Sequence, residues 1–472
     1  MQERPTKKPG IKVFRIPRVK PWRIILPIFP QPKPGGIPTV VLIYGFIGLI
    51  AVGTLLLTLP ISSKTGQITP PVNALFTATS AVCVTGLAVV DTGTYWSYFG
   101  QGVLIALIQI GGFGFMTSAT IFLLVLGHRI GLRERLLIGE SMGIPQPGGL
   151  IRLVRRMAFF TILVELLGAA LLYIRFSAGN HPGLAAWKSI FHAVSAFNNC
   201  GLDLFSNFRS LMGYQGDTLV ILVTAALIIL GGISFMVVAD LVTTRRLARL
   251  SLNSKIVLTT TLLLLVVGTI VILLTEYFNS ATLGTLPFPQ KMLNAFFMSV
   301  TPRTAGFSTV DVGKLGTYTL HFIIILMFIG GATGSTAGGI KVNTFGMLML
   351  TIWSSIQGRE HARAFGREFT TTQVYRALAV LMLSLGIVAV ATFALTVTEQ
   401  HIHLSLLFET VSAFGTVGLS TGITPFLSTA GRLIVTITMF VGRLGPLTIA
   451  LSLLQRLQPS TYRQPEEAIR IG

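Results

Sequence analysis

The chain has 472 residues, of which 51% are hydrophobic and only 11% are charged, against about 25% charged residues in a typical soluble domain. This composition excludes a single soluble globular domain and indicates a protein embedded in a membrane. The 36 Lys and Arg residues outnumber the 16 Asp and Glu residues, which gives a net charge of +20. In a membrane protein this excess should collect in alternate, cytoplasmic loops, whereas a nucleic-acid-binding surface would not segregate in this way.

Eight apolar runs approach or exceed the roughly 20 residues that cross a bilayer as a helix. They are residues 40–59, 102–126, 157–174, 219–239, 256–274, 318–353 (interrupted), 377–397 and 433–454. Between the members of each successive pair lies an apolar stretch that is too short to span and is typical of a re-entrant half-helix. These stretches are residues 72–82, 184–197, 292–299 and 404–414. The predicted fold is an all-α integral membrane protein with four repeats of span, half-helix, loop and span.

The order of elements divides the chain into a basic N-terminal tail, four repeats and a C-terminal tail. The predicted boundaries are 1–38, 39–127, 128–240, 241–355, 356–457 and 458–472. Most Lys and Arg residues fall in the two tails and in the segments 128–157, 240–255 and 341–376, all on one side of the predicted membrane. By the positive-inside rule this side is cytoplasmic, both termini lie there, and the half-helices enter from outside.

An internal repeat supports this division. Phe76 precedes Gly86 by ten residues, and the same offset joins Phe191 to Gly201, Phe296 to Gly306 and Phe408 to Gly418. A second signature follows 24 to 30 residues later in each repeat, at residues 111–112, 231–232, 330–331 and 442–443. Two markers in the same order indicate fourfold duplication. The second set also suits close packing of membrane helices, so a packing role and a pore role stay open for it.

Four such repeats around one axis predict a cation pathway lined by four glycine-centred strands. Carbonyl oxygens of these strands would replace the water shell of an alkali cation without a trapping carboxylate. Each half-helix would add roughly half a negative charge at its C-terminal end. The predicted filter residues are Val84, Thr85, Gly86, Asn199, Cys200, Gly201, Thr304, Ala305, Gly306, Thr416, Val417 and Gly418. Arg303, one step outside this set, is interpreted as an anchor to a carbonyl or an acid outside the pore.

Three motifs at residues 82–87 (VCVTGL), 301–307 (TPRTAGF) and 334–341 (GSTAGGIK) carry a family resemblance. Over residues 38–457 the sequence resembles the Ktr/Trk/HKT superfamily of potassium transporters, most closely the membrane subunits of bacterial Ktr systems. The resemblance implies potassium as substrate, sodium as an activating ion, and a homodimer in the bacterial cell membrane. It also implies a cytoplasmic ring of nucleotide-binding, RCK-type regulatory subunits. Glycine at all four filter positions accompanies potassium preference in this superfamily.

The sixth span is interrupted at residues 330–339, where five of ten residues are glycine. A regular helix there would lose about 1 kcal/mol per glycine relative to alanine, and irregular backbone at this depth must line a cavity or be buried in protein. A phosphate-binding loop is disfavoured because the Gly-Lys-Ser/Thr ending is missing. The resemblance implies an intramembrane gate beneath the filter, and the predicted gate residues are Gly330, Gly331, Gly334, Ser335, Thr336, Gly338, Gly339, Lys341 and Arg443.

Arg443 replaces the second glycine of the pair in the fourth repeat, and a charge inside a span is by default a functional hypothesis. We expect Arg443 to face the cavity under the filter and to help the 330–339 loop close the pore. The alternative is a packing role, with Arg443 paired to an acid such as Glu165 or Glu409, or to loop carbonyls.

Other functions find less support in the sequence. Enzyme motifs such as His-Glu-x-x-His and Gly-x-Ser-x-Gly are missing, so we expect neither an enzyme nor a bound cofactor or transition-metal site. The basic loops suit anionic membrane lipid as well as a regulatory subunit, and no nucleic-acid partner is expected. Two alternatives keep the membrane setting: a sodium or non-selective cation transporter of the same fold, and a secondary transporter of an organic solute.

Overall fold

The computed structural model describes residues 37–114, 117–118, 149–179, 181–244, 246–359 and 361–446. The described chain is helical apart from one antiparallel two-stranded hairpin, formed by β1 (Arg363–Ala364) and β2 (Arg367–Glu368). The predicted all-α class is therefore confirmed. Nearly all of both predicted tails, and most of the basic segment 128–157, lie outside the described residues.

Apart from the four-residue helix Thr92–Tyr95 and short 3-10 turns, the helices follow one order four times along the chain: a long first helix, a short helix, and a second helix or a broken pair. The first set is α1 (Ile37–Thr58), α2 (Pro71–Val82) and α3 (Tyr98–Phe113). The second is α4 (Leu150–Phe176), α5 (Pro182–Phe197), α6 (Thr218–Gly232) and α7 (Phe235–Thr244). The third is α8 (Leu252–Glu276), α9 (Phe288–Val300), α10 (Thr317–Phe328) and α11 (Val342–Ile356). The fourth is α12 (Thr371–Thr398), α13 (His403–Gly415) and α14 (Thr429–Leu444).

The four short helices form the centre of the molecule. Proline occupies the first residue of α2 and α5, where its missing N–H leaves no helical hydrogen bond unmade. Every residue from Phe76 to Val82 in α2 and from Phe408 to Gly415 in α13 is buried. The start of α9 lies four residues before its predicted start, because Phe288 and Pro289 already form its first turn. These helices carry the strands that build the site.

Length and apolar composition make three helical segments able to cross a membrane: Ile151–Gly179, Leu252–Glu276 and Thr371–Thr398. They are the first helices of the second, third and fourth sets, and the bent pair α6–α7 is a fourth such segment if it is counted as one span. The other predicted spans are shorter helices within the described residues, or they run into residues outside them. The count of eight spans stays a prediction.

The second span of the second repeat departs from its prediction. Residues 219–239 do not form one straight helix, because α6 and α7 meet at an angle of 93° after Gly232. The bend frees the carbonyl oxygens of Gly231 and Gly232, which accept hydrogen bonds from Thr336 and Ala332 of the 330–339 loop instead of from the next helical turn. The sequence pattern identified the glycine pair, but it did not predict that the carbonyl oxygens of this pair accept hydrogen bonds from a distant loop.

Candidate functional site

The chain leaves each of the four short helices through the same unusual backbone. Val84, Asn199, Thr304 and Thr416 all adopt left-handed φ angles, between 51° and 71°. Two residues later, Gly86, Gly201, Gly306 and Gly418 adopt φ angles of 76° to 90°. The residue between has a negative φ in every repeat. The costly left-handed conformation of a residue with a side chain indicates a constrained functional segment.

These four strands meet in a closed ring. A side-chain carbon built on Gly86 would lie 3.1 Å from the α-carbon of Gly201. A carbon built on each of the other glycines lies 3.0–3.1 Å from the α-carbon of the next one, in the order Gly201, Gly306, Gly418 and back to Gly86. Each added carbon would also press on the carbonyl oxygen that precedes the next glycine. The structure therefore brings the four predicted filter glycines, and the residue before each of them, together in one ring, at a separation that only glycine permits.

Hydroxyl groups at the C-terminal ends of the short helices hold the strands. The amide N–H of Gly86 donates to Ser80 Oγ at 3.0 Å, and that of Gly418 donates to Ser412 Oγ at 3.1 Å. In the other two repeats the hydroxyl is the donor, from Ser195 to the carbonyl of Leu202 and from Thr301 to that of Phe307, both at 2.6 Å. Sequence reasoning missed these residues, although Ser80, Ser195 and Ser412 stand at the same offset in their repeats.

The second glycine set has a packing role in three repeats. A side-chain carbon on Gly111, Gly231 or Gly442 would lie 2.8–2.9 Å from the carbonyl carbon of Val82, Phe197 or Phe414, respectively. These carbonyls belong to the last turns of α2, α5 and α13, so the glycines let the second helices approach the ends of the short helices. In the third repeat Gly330 packs instead against Gly338 and against Thr304 of the filter. Of the two roles considered for this second set of glycines, packing and pore, the pore role therefore applies to the third repeat.

The interrupted segment between α10 and α11 forms a folded loop that packs against the ring. Gly330 N–H donates to the carbonyl of Ile340 at 2.8 Å, and Val342 N–H donates to that of Gly331 at 2.9 Å, which ties the two ends of the loop together. Gly338 lies against the side chain of Thr416, the left-handed residue of the fourth strand. Lys341 Nζ donates to the carbonyl of Ala337 at 2.5 Å, inside the same loop.

Hydrogen bonds fasten this loop to the second repeat. Ala332 N–H donates to Gly232 O at 3.0 Å, and Thr336 Oγ1 donates to Gly231 O at 3.0 Å. Since Gly330 and Gly338 touch the third and fourth filter strands, the loop contacts three repeats directly.

Arg443 connects the loop to the remaining repeat. Its guanidinium group donates to the carbonyl of Thr336 in the loop, and to the carbonyls of Gly111 at 2.5 Å and Gly112 at 3.4 Å at the end of α3. The two acids considered as partners lie elsewhere: Glu165 accepts from Asn198, and Glu409 accepts from Ser420 and Thr424. Arg443, which lies in the fourth repeat, thus binds a carbonyl of the loop and carbonyls of the first repeat. Because the loop is also hydrogen-bonded to the second repeat, it joins the first, second and fourth repeats.

Arg303 has the anchoring role that was expected of it. It is 7% exposed, and its Nη1 and Nη2 donate to the carbonyl and hydroxyl oxygens of Thr261 on α8, at 3.0 and 3.3 Å. The guanidinium group therefore fastens the start of the third strand to the first helix of its own repeat.

Comparison with known proteins shows the family of this chain. The family described as "TrkH: Cation transport protein" matches residues 36–461. The chain is 45% identical over 438 residues to "Ktr system potassium uptake protein B" of Bacillus subtilis, covering 92% of this chain and 97% of the relative. It is 40% identical to "Potassium/sodium uptake protein NtpJ" of Enterococcus hirae, covering 92% and 97%.

A solved structure shares the fold. The crystal structure of the potassium transporter TrkH from Vibrio parahaemolyticus superposes with a TM-score of 0.68, at 19% sequence identity, over 90% of this chain and 85% of that one. At this identity the likeness establishes the fold alone. Because the family match extends over most of the sequence, the chain belongs to the TrkH family of cation transport proteins.

Proposed function

We propose that this chain is the ion-translocating membrane subunit of a Ktr-type potassium uptake system. The observation that carries the proposal is the closed ring of four glycine strands that share one pattern of φ angles. Rings of carbonyl oxygens replace the hydration shell of a potassium ion and let it move from site to site. Relatives at 45% and 39% identity are named as Ktr system potassium uptake proteins, which supports potassium as the ion.

The twelve filter residues coordinate the ion, and the loop with Arg443 is the gate. Contacts of Gly338 with the side chain of Thr416 and of Gly330 with Thr304 support this role, because they place the loop against two filter strands. A guanidinium group beside this path also repels cations. Release of Arg443 from Thr336 and Gly111 would free one side of the loop, which defines a closed and an open state.

The name of the relatives refers to a system, and a system has more than one component. We infer a cytoplasmic, nucleotide-binding, RCK-type regulatory ring, a homodimer of this chain in the bacterial cell membrane, and both termini on the cytoplasmic side. Exposed apolar side chains along the first helices, such as Leu262, Val390 and Phe393, suit contact with lipid. The protein acts without a resident cofactor; sodium serves as an activator.

One observation favours a second candidate. The relative from Enterococcus hirae is named a potassium/sodium uptake protein, so a pathway that carries sodium as well as potassium is the alternative within the same fold. Uptake of rubidium and of sodium by proteoliposomes containing the purified chain separates the two. Potassium specificity predicts rubidium uptake that excess external potassium suppresses and excess sodium does not.

The decisive experiment is growth and potassium uptake of a bacterium that lacks its own potassium importers and expresses this chain. We expect the wild-type chain to restore uptake and Gly306→Ser to raise the potassium concentration needed for half-maximal uptake. Gly306 has a φ of 76°, and an added carbon would lie 3.1 Å from the α-carbon of Gly418. Gly386→Ser is the matched control, because that glycine on α12 has open space around it. Equal affinity in Gly306→Ser and wild type would refute the filter assignment.

A further inference from the structure

A carboxyl group lies in the middle of a spanning helix without belonging to the filter or the gate. Glu165 lies on α4 within the apolar segment Ile151–Gly179, and it is 7% exposed. Within the part of the chain that the structure describes, its carboxylate takes part in no ion pair. An ionisable group inside a membrane span is costly and is a functional hypothesis by default.

The partner of Glu165 is an amide side chain from another helix. Asn198 Nδ2 donates to Glu165 Oε1 at 2.9 Å and to Gln109 Oε1 at 3.0 Å. Three polar side chains, from α3, α4 and the end of α5, therefore form one cluster between the first and second repeats. Asn198 is 1% exposed, so this cluster is closed to solvent at its centre.

Asn198 occupies a sensitive point of the chain. It ends α5, and the next residue, Asn199, begins the second filter strand in the left-handed conformation, with a φ of 58°. The side-chain oxygen of Asn198 lies against Gly112, whose carbonyl is 3.4 Å from Arg443 Nη2. A shift of Asn198 would therefore move the base of the filter strand and the carbonyl groups that Arg443 binds.

The third repeat uses the same kind of support with other residues. Arg303 stands at the position equivalent to Asn198 and donates to Thr261 on the first helix of its own repeat. In the first and fourth repeats the equivalent residues are Cys83 and Gly415, which have no such side-chain bond among the described contacts. Two of the four strands are thus fastened to a first helix by a polar side chain just before the strand begins.

We propose that Glu165 is a positioning residue for ion selectivity. Through Asn198 it fixes the second filter strand at the spacing that suits potassium, because Gly201 is in close contact with Gly306 of the third strand and Gly86 of the first. Groups that select an ion by distance must be held to a fraction of an ångström by the residues behind them. This proposal rests on the proposed function of the chain as a potassium pathway.

Competition between rubidium and sodium for uptake into proteoliposomes tests it. Leaving a buried hydrogen-bond donor without its partner corresponds to roughly a tenfold change, so we expect Glu165→Ala to lower the rubidium-to-sodium uptake ratio by about that factor. Glu165→Gln keeps a hydrogen-bonding group of the same size, and it should retain most of the selectivity. Leu166→Ala is the control, because this neighbour on α4 is 60% exposed.

Asn198→Ser removes the same contact from the other side and keeps a small polar residue at the end of α5. It should lower the ratio as Glu165→Ala does, and the double variant should be no worse than either single variant. If Glu165→Ala is not recovered in folded form, Asn198→Ser alone decides. A wild-type ratio in Asn198→Ser overturns the proposal. Failure of the wild-type chain to take up rubidium would instead refute the proposed function, so the two failures are distinguishable.

Discussion

Arg443→Gln tests the gate most directly. The guanidinium group joins the carbonyl of Thr336 in the loop to those of Gly111 and Gly112 at the end of α3. Hydrogen bonds from a charged donor contribute roughly 1.5–3 kcal/mol each. Loss of the bonds to Thr336 and Gly111 therefore removes about 3 kcal/mol or more from the closed state, which shifts the ratio of closed to open molecules by more than about a hundredfold.

The measurement is rubidium uptake by proteoliposomes that contain only the purified chain. We expect a measurable basal uptake by the wild type and a large increase in Arg443→Gln, because the loop then loses its hydrogen bonds to the first and fourth repeats. Arg432→Gln provides a matched control: Arg432 lies on the same helix, and its guanidinium group binds Asn73 at 2.6 Å and the carbonyl of Pro425 at 3.0 Å, away from the loop. Equal uptake by the wild type, Arg443→Gln and Arg432→Gln would refute the reasoning and leave Arg443 with a packing role.

Two further predictions concern neighbouring contacts. Thr336→Val removes the hydroxyl hydrogen bond to Gly231 O at 3.0 Å, and this loss of about 1 kcal/mol should raise basal rubidium uptake roughly fivefold. The control Thr396→Val, which breaks only a hydrogen bond within α12, should leave the uptake unchanged. Equal uptake by the two variants would contradict the role of Thr336 in holding the loop. Gly111→Ala places a carbon 2.8 Å from the carbonyl carbon of Val82, and such overpacking costs roughly 1–3 kcal/mol. Its thermal unfolding should occur several degrees below that of Gly102→Ala, whose added carbon meets open space on the same helix; coincident unfolding curves would disprove the packing role.

Local sequence determined the fold class and the repeat. Long apolar runs have few conformational options in a bilayer, since backbone polar groups must be satisfied within the segment. The offset from Phe76 to Gly86 and its three copies predicted which residues come together, because four equivalent segments with one conformation can close around one axis. Glycine was informative for the same reason: it marks backbone that other residues cannot adopt.

Tertiary structure decided the contacts between repeats. Arg443 stood out as a charge in a span, yet its partners are backbone carbonyls of Gly111 and Thr336, more than 100 residues away, and carbonyls leave no mark in a sequence. The bend after Gly232 likewise depends on the loop that takes its carbonyls, a contact 100 residues apart. The sequence pattern thus predicts the local backbone conformation of a segment. Hydrogen bonds to distant backbone groups, by contrast, form only when the repeats pack together.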